Sequence, residues 1–338
     1  MPSDGLAVQV TSLTRRFNDL VAVDSVSFDI AAGEIFGLLG PNGAGKTTTV
    51  LMLTSLLRPT SGEAFVAGMD VVRRPKEVRR KISYVPQGMA VDYALTGRDN
   101  LDYYASLFRI RGREKVARID QVVELLGLES VVDQRVQFFS GGMRRRLELA
   151  QAVLTKPTVL FLDEPTLGLD VAARRRLWEL IGNMTSDGIA CLLTTHYMEE
   201  AEALCNRVAF ISQGKIVRCG APSDLVAEIG GEAIQIDLCR PLLSDSVMRD
   251  IAQIADVSVE GLQLTLVASG GRRALPRIVA ILHSHGVEVE SISIKRPRLE
   301  DVYLECVDDV ECVDDGSQEL VSASEGAEIR RMARRSMG

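Results

Sequence analysis

The chain has 338 residues, of which 46% are hydrophobic and 25% charged, a balance that fits an ordinary folded protein and excludes disordered and collagen-like classes. Its net charge of −7 argues against a nucleic-acid binder, which would carry a positive surplus on one face. No uninterrupted apolar run approaches the roughly 18 to 20 residues that span a bilayer, and residues 1–13 lack the apolar centre of a secretion signal.

In chain order, Leu6–Val10 and Val21–Phe28 alternate apolar and polar residues, so residues 6–30 are expected to form a half-buried antiparallel layer. Glu34–Leu39 is a short apolar run of the kind a buried parallel strand shows, and Lys46–Leu53 reads as the start of a helix. The basic stretch Arg73–Lys81 is read as a solvated face. From about residue 95 to 155 the pattern is mainly helical, with stretches at Asn100–Tyr104, Val116–Leu126 and Gly142–Leu154. Pro157–Glu164 is an apolar strand, and Ala172–Asn183 is a helix whose Trp178 is expected on its buried apolar face. Ile189–Leu193 is a further strand. Val208–Ile211 and Lys215–Arg218, separated by Ser212-Gln213-Gly214, predict a hairpin.

After Gly230-Gly231 the order becomes strand 233–238, helix 244–254, strands within 257–267, helix 275–285 and strand 287–294, compatible with a small β-α-β-β-α-β sandwich. Residues 308–338 are first acidic and then basic, without periodicity, and are expected to be disordered. The six cysteines show no CxxC spacing and predict reduced thiols; Cys306 and Cys312 lie in a direct repeat of ECVDD, read as a solvated linker.

Three segments carry chemistry. Gly40-Pro41-Asn42-Gly43-Ala44-Gly45-Lys46-Thr47 is a GxxxxGK-Ser/Thr loop between a strand and a helix. In such a loop glycines let backbone N–H groups turn around β- and γ-phosphates, the lysine reaches them and the threonine hydroxyl binds Mg²⁺. The strand ending at Asp163-Glu164 supplies two carboxylates, the first suited to holding Mg²⁺ and the second to orienting or deprotonating water. Phe139-Ser140-Gly141-Gly142-Met143 precedes a helix, where exposed N–H groups and the positive dipole end favour a phosphate.

The order and wording of these segments resemble the ATP-binding subunits of ABC transporters, most nearly the daunorubicin-type multidrug resistance group. The resemblance covers residues 6 to about 305 and implies an α/β fold: a P-loop ATPase core with an antiparallel β layer and a helical insertion. A small C-terminal α+β domain follows, with domains at 1–230 and 231–307 and a tail at 308–338. It implies ATP and Mg²⁺ as nucleotide and metal. Phe17 occupies the place of the aromatic that stacks on adenine, and Gly43 to Thr48, Thr48 included, hold the phosphates with Lys46. Thr47, Gln87 and Asp163 organise Mg²⁺. Glu164, His196 and Gln87 act on water and the γ-phosphate, His196 standing after an apolar strand in Thr194-Thr195-His196. Ser140, Gly141 and Gly142 match the signature that caps ATP held by the other protomer, and Asp170 lies in the loop that crosses that interface. Phe139 departs from the family's usual leucine but remains apolar.

The implied protein is an exporter ATPase at the cytoplasmic face of the cell membrane, a homodimer or heterodimer driving a separately encoded permease, with no nucleic-acid partner. A soluble ABC-type ATPase acting on nucleic acid or ribosomes is the alternative; the single ATPase domain, the lack of a long coiled-coil insertion and the acidic balance oppose it.

Overall fold

The computed structural model describes residues 5–311, apart from Met89, Asp187, Gly230, Gly231, residues 241–244, Ala255, residues 269–270 and residues 296–297. The chain divides into two units between Ala221 and Pro222.

The first unit opens with β1 (Leu6–Phe17), β2 (Leu20–Ala31) and β3 (Ile35–Leu39), followed by α1 (Lys46–Leu53), β4 (Ser61–Val66), β5 (Met69–Asp70), α2 (Pro75–Val78) and β6 (Ile82–Val85). Three helices come next, α3 (Gly97–Leu107), α4 (Gly112–Leu125) and α5 (Gly141–Leu154). Then β7 (Val159–Asp163), α6 (Val171–Ser186), β8 (Ala190–Thr195), α7 (Met198–Leu204), β9 (Arg207–Ser212) and β10 (Lys215–Gly220) complete it. An antiparallel sheet runs β2-β1-β4-β5, and a second sheet runs β10-β9-β3-β8-β7-β6, parallel except for β10. The parallel strands β3, β7 and β8 are buried at every position, which is why they read as unbroken apolar runs.

The two sheets share one core around α1, with Val10 and Leu13 from β1, Ile30 from β2, Val50 and Leu53 from α1, and Phe161 and Leu192 from β7 and β8. Phe28 of the antiparallel sheet stacks on Phe36 of the parallel one, ring centroids 5.1 Å apart and planes 9° from parallel. Such burial, rather than helix propensity, holds the short α1 in place. β9 and β10 form the expected hairpin; Gln213 and Gly214, both at positive φ, make its two-residue turn.

Some sequence expectations differ from the structure. β4 and β5 join the antiparallel layer without having been read as strands. Trp178 is only half-buried and donates its indole N–H to Glu200 at 3.0 Å, because a polar partner on α7 lies where an apolar neighbour was expected.

The second unit contains α8 (Pro222–Ile229), β11 (Glu232–Leu238), α9 (Asp245–Ala252), β12 (Asp256–Glu260), β13 (Gln263–Ala268), α10 (Gly271–Ser284), β14 (Val289–Lys295) and α11 (Leu299–Glu311). Its antiparallel sheet has the order β12-β13-β11-β14, the β-α-β-β-α-β arrangement the sequence suggested. Ile234, Ile236, Leu264 and Leu266 pack with Val247 and Ile251 of α9 and Ile278 and Leu282 of α10. α8 packs with α11, so the unit begins at Pro222, ahead of the expected start at residue 231. α11 runs to Glu311, into the segment expected to lack regular structure; residues 312–338, including Cys312, lie outside the described residues. Cys191, Cys205, Cys219, Cys239 and Cys306 are free thiols.

Phe36 is fully buried and joins the two sheets. Phe36→Ala is expected to cost about 3–5 kcal/mol, read as a loss in urea midpoint at unchanged slope.

Candidate active site

The parallel register brings the chemistry together. Leu39 of β3 pairs with Thr195 of β8, and Asp163 of β7 pairs with Thr194, so three strands end along one edge and release their loops there. The loop after β3 is Gly40 to Gly45. Gly40 lies so close to β9 that a Cβ would sit 2.2 Å from the Ile211 carbonyl oxygen. Gly45, at φ +104°, caps α1 in the left-handed region, and a Cβ there would stand 2.5 Å from the Ala22 carbonyl oxygen. Only glycine fits both demands. The turn they permit aims the first N–H groups of α1 and its positive dipole end along the strand edge.

Lys46, 5% exposed, donates from Nζ to the carbonyl oxygens of Gly40 at 2.7 Å and Pro41 at 3.0 Å, and stands 3.5 Å from Glu164 Oε1. Burial lowers its pKa, while Glu164 and Asp163 act in the opposite direction. Asp163, 1% exposed, receives hydroxyl hydrogen bonds from Thr194 at 2.5 Å and Thr47 at 3.3 Å on Oδ1 and from Tyr84 at 3.4 Å on Oδ2. Burial raises its pKa against those donors. Burial also raises the Tyr84 phenol, and the Asp163 carboxylate adds to this, so the hydroxyl remains a donor.

Glu164 is the point of convergence. Its Oε1 is 3.3 Å from His196 Nδ1 and 3.5 Å from Lys46 Nζ, and its Oε2 accepts from Gln87 Nε2 at 3.1 Å. Its backbone sits at φ +48°, a left-handed conformation that costs a non-glycine residue about 1–3 kcal/mol. The N–H of Glu164 is tied to both the carbonyl and the hydroxyl oxygen of Thr194, each at 3.1 Å. That strained turn swings Glu164 toward Lys46 and His196 while Asp163 stays in strand register beside Thr47.

The oxygens of Thr47 and Asp163 form a hard-oxygen pair of the kind Mg²⁺ takes, and among the described residues the buried carboxylate has hydroxyl donors but no hydrogen-bonded cation, so the donor set fits that ion. Gln87, expected in the same set, donates its amide N–H to Glu164. Phe17 lies at the end of β1, half-buried, with the Arg15 guanidinium 4.4 Å above its ring. Asn42 and Gly43 are exposed at the loop tip, Ala44 is buried, and Thr48 lies in the first turn of α1.

Ser140 caps α5, its hydroxyl accepting from Met143 N at 3.2 Å, with Gly141 and Gly142 in the first turn. Asp170 caps α6 through Ala173 N at 2.8 Å. No hydrogen bond or ion pair among the described residues joins Ser140, Gly141, Gly142 or Asp170 to Lys46 or Glu164. Sequence reading missed Thr194, Tyr84 and Arg145. Thr194 and Tyr84 could have been found by pairing strand ends, since each lies on a strand next to β7; Arg145 is hidden in a run of three arginines.

On α7, Glu200 is fully buried and accepts from Trp178. Burial raises its pKa above the usual 4.5, so the folded state holds a proton more tightly than the unfolded one. Stability is then full below 4.5 and lost as pH rises through the folded value. Glu200→Gln keeps the acceptor for Trp178 and removes the charge. At pH 7.5 its melting temperature should exceed the parental one by about 2–4 °C for each kcal/mol regained, and the gain should close as pH approaches 4.5.

Known proteins resemble this chain over most of its length. The family model for "ABC transporter" matches residues 23–167. The daunorubicin resistance ATP-binding protein DrrA2 of Streptomyces coeruleorubidus is 39% identical over 305 residues, covering 89% of this chain and 95% of the relative. The linearmycin resistance ATP-binding protein LnrL of Bacillus subtilis is 32% identical over 302 residues, 88% of this chain and 97% of its own. Among solved structures, cbiO1 from Clostridium perfringens, part of the ABC transporter complex cbiONQ, superposes with a TM-score of 0.63 at 25% identity, over 67% of this chain and 92% of that one.

Proposed function

The chain belongs to the ABC transporter ATP-binding family, whose cassettes hydrolyse ATP, and from that premise we propose that it powers drug or antibiotic export through a separate permease. The observation that supports this most is the convergence of Lys46, Gln87 and His196 on the Glu164 carboxylate, next to the Thr47–Asp163 pair. A charge-neutralising lysine, a polarising carboxylate and two polar groups that orient it are the parts phosphoryl transfer to water needs.

In this reading the N–H groups of Gly43 to Thr48 and the Lys46 ammonium receive the β- and γ-phosphates, Lys46 leaving the Gly40 and Pro41 carbonyls to do so. Phe17 lies against the adenine. Glu164 holds a water and accepts its proton as the water oxygen bonds to the γ-phosphorus; the bond between that phosphorus and the β–γ bridging oxygen breaks, releasing ADP and phosphate. His196 and Gln87 fix the carboxylate and contact the γ-phosphate. Thr47 and Asp163 would hold Mg²⁺, with Gln87 reaching it, and the ion would neutralise charge on the phosphate oxygens.

Ser140, Gly141 and Gly142 complete the site of a second protomer, and Asp170 crosses the same interface, so closure of a homodimer or heterodimer accompanies ATP capture. The exposed cap of α5, free of bonds to its own phosphate loop, supports that composite arrangement. Among the described residues no helix is long and apolar enough to cross a membrane. In this reading the subunit is peripheral, held at the cytoplasmic face by the permease. The resistance functions in the relatives' names support a drug-like cargo.

Glu164→Gln should bind ATP nearly as the parental protein does and lose about 10²- to 10⁴-fold in turnover, with dimers accumulating in Mg-ATP. Sedimentation and phosphate release measure both; hydrolysis at the parental rate would remove Glu164 from the mechanism.

A further inference from the structure

Arg145 of α5 is 4% exposed, and its five N–H donors are all engaged. Nε donates to the Pro165 carbonyl at 2.7 Å, and one terminal nitrogen donates to the Pro86 carbonyl at 2.9 Å and to Glu148 Oε2 at 2.8 Å. The other donates to the carbonyls of Asp163 at 3.3 Å and Glu164 at 3.2 Å. Glu148, 3% exposed, uses Oε1 to accept from the N–H of Ala90 at 2.6 Å. One buried ion pair on the helix headed by Ser140 thus grips the backbone on both sides of Gln87 and at Asp163, Glu164 and Pro165.

Backbone pairing supports the same connection. Gln137 N donates to Tyr93 O at 3.0 Å, Val136 N to Leu95 O at 2.9 Å, and Arg98 N to Val132 O at 2.8 Å. The segment leaving Gln87 is therefore laced to the segment entering Ser140. A buried ion pair is a poor stabilising device, since apolar residues of similar volume often serve the fold as well or better. Its bonds go instead to the three carbonyls of the strained Glu164 turn, those of Asp163, Glu164 and Pro165, and to the loop of the residue that orients the Glu164 carboxylate.

We propose that Arg145 and Glu148 are positioning residues that couple the placement of the Ser140 helix to Gln87 and Glu164. Movement of α5, on permease or partner contact, shifts the carbonyls of Pro86 and Glu164 through one planar guanidinium. Glu164 then meets its water only when α5 is seated. Lysine cannot replace this arginine, because a point charge with three donors does not span both loops. The proposal rests on the ATPase reading above.

Two full-length variants test it. Arg145→Lys keeps the charge opposite Glu148. The double variant Arg145→Met with Glu148→Leu removes both buried charges together and keeps an apolar core. Each should lower the kcat for ATP about 10²-fold, the usual result of an ångström-scale misplacement. Affinity for trinitrophenyl-ATP should stay within about threefold, since Lys46 and its loop are untouched. The double variant should melt below the parental temperature, because the carbonyls of Pro86, Asp163, Glu164 and Pro165 and the N–H of Ala90 lose their partners, yet it should bind nucleotide as the parental protein does. Amide exchange should quicken in peptides covering residues 86–90 and 163–167 and stay unchanged across β3 and α1. Parental turnover, or a loss of turnover matched by an equal loss of nucleotide affinity, would show that the pair serves the fold alone. The exchange arm reads the coupling even if the parental chain hydrolyses no ATP, so failure of the ATPase reading is told apart. Unchanged exchange at both peptides would overturn the coupling.

Discussion

Everything in the first unit turns on two adjacent carboxylates that must point in different directions at the end of one strand. Asp163 stays in register with Thr194 and is buried among three hydroxyl donors. Glu164, one residue later, is thrown into the left-handed region and out toward Lys46, His196 and Gln87. Such a turn costs energy, and it persists because it is tied on both sides, by Thr194 to its N–H and by Arg145 to its carbonyl. Burial raises the pKa of Asp163 and lowers that of Lys46, so the fold alone disfavours both charges. Stability is given up where phosphates and a dication would restore it, the usual relation between strain and chemistry in an active site.

The parallel sheet makes this arrangement possible. Because β3, β7 and β8 end together, the phosphate loop, the carboxylate pair and His196 meet without a long connection between them. Their strands need no alternation, since helices and the antiparallel sheet cover both faces, and Phe28 on Phe36 locks the two layers. A shift of one residue in β7 against β8 would put Leu162 or Glu164 in the place of Asp163, and the site would be lost with the register.

Much of this was legible from residue order. Glu34–Leu39 and Pro157–Glu164 announce themselves because fully buried parallel strands are uninterrupted apolar runs, and the loop glycines are demanded by backbone approach. β4 and β5 escaped notice because β5 has only two residues and β4 carries Gly62 near its start, with Gly68 in the turn between them. Arg145 was hidden between Arg144 and Arg146, where a basic run reads as a solvated face; only the fold shows that the middle one points inward. Trp178 was assigned to an apolar face because composition cannot reveal that Glu200, 22 residues away, would supply its acceptor. The start of the second unit moved for a similar reason: α8 packs on α11, a partner nearly eighty residues downstream, beyond the reach of local periodicity.

In the proposed function one catalytic site is assembled from two chains, with Lys46 and Glu164 from one and Ser140 from the other. That assembly is tested most directly by mixing two inactive proteins, Lys46→Ala and Ser140→Arg. Each mixed dimer contains one site with an intact lysine from the Ser140→Arg protomer and an intact signature from the Lys46→Ala protomer. Both variants alone should be nearly inactive, and ATP hydrolysis should return on mixing and rise with protein concentration. Full activity of Ser140→Arg alone, or a specific activity that does not depend on concentration in a strictly monomeric protein, would contradict that assembly.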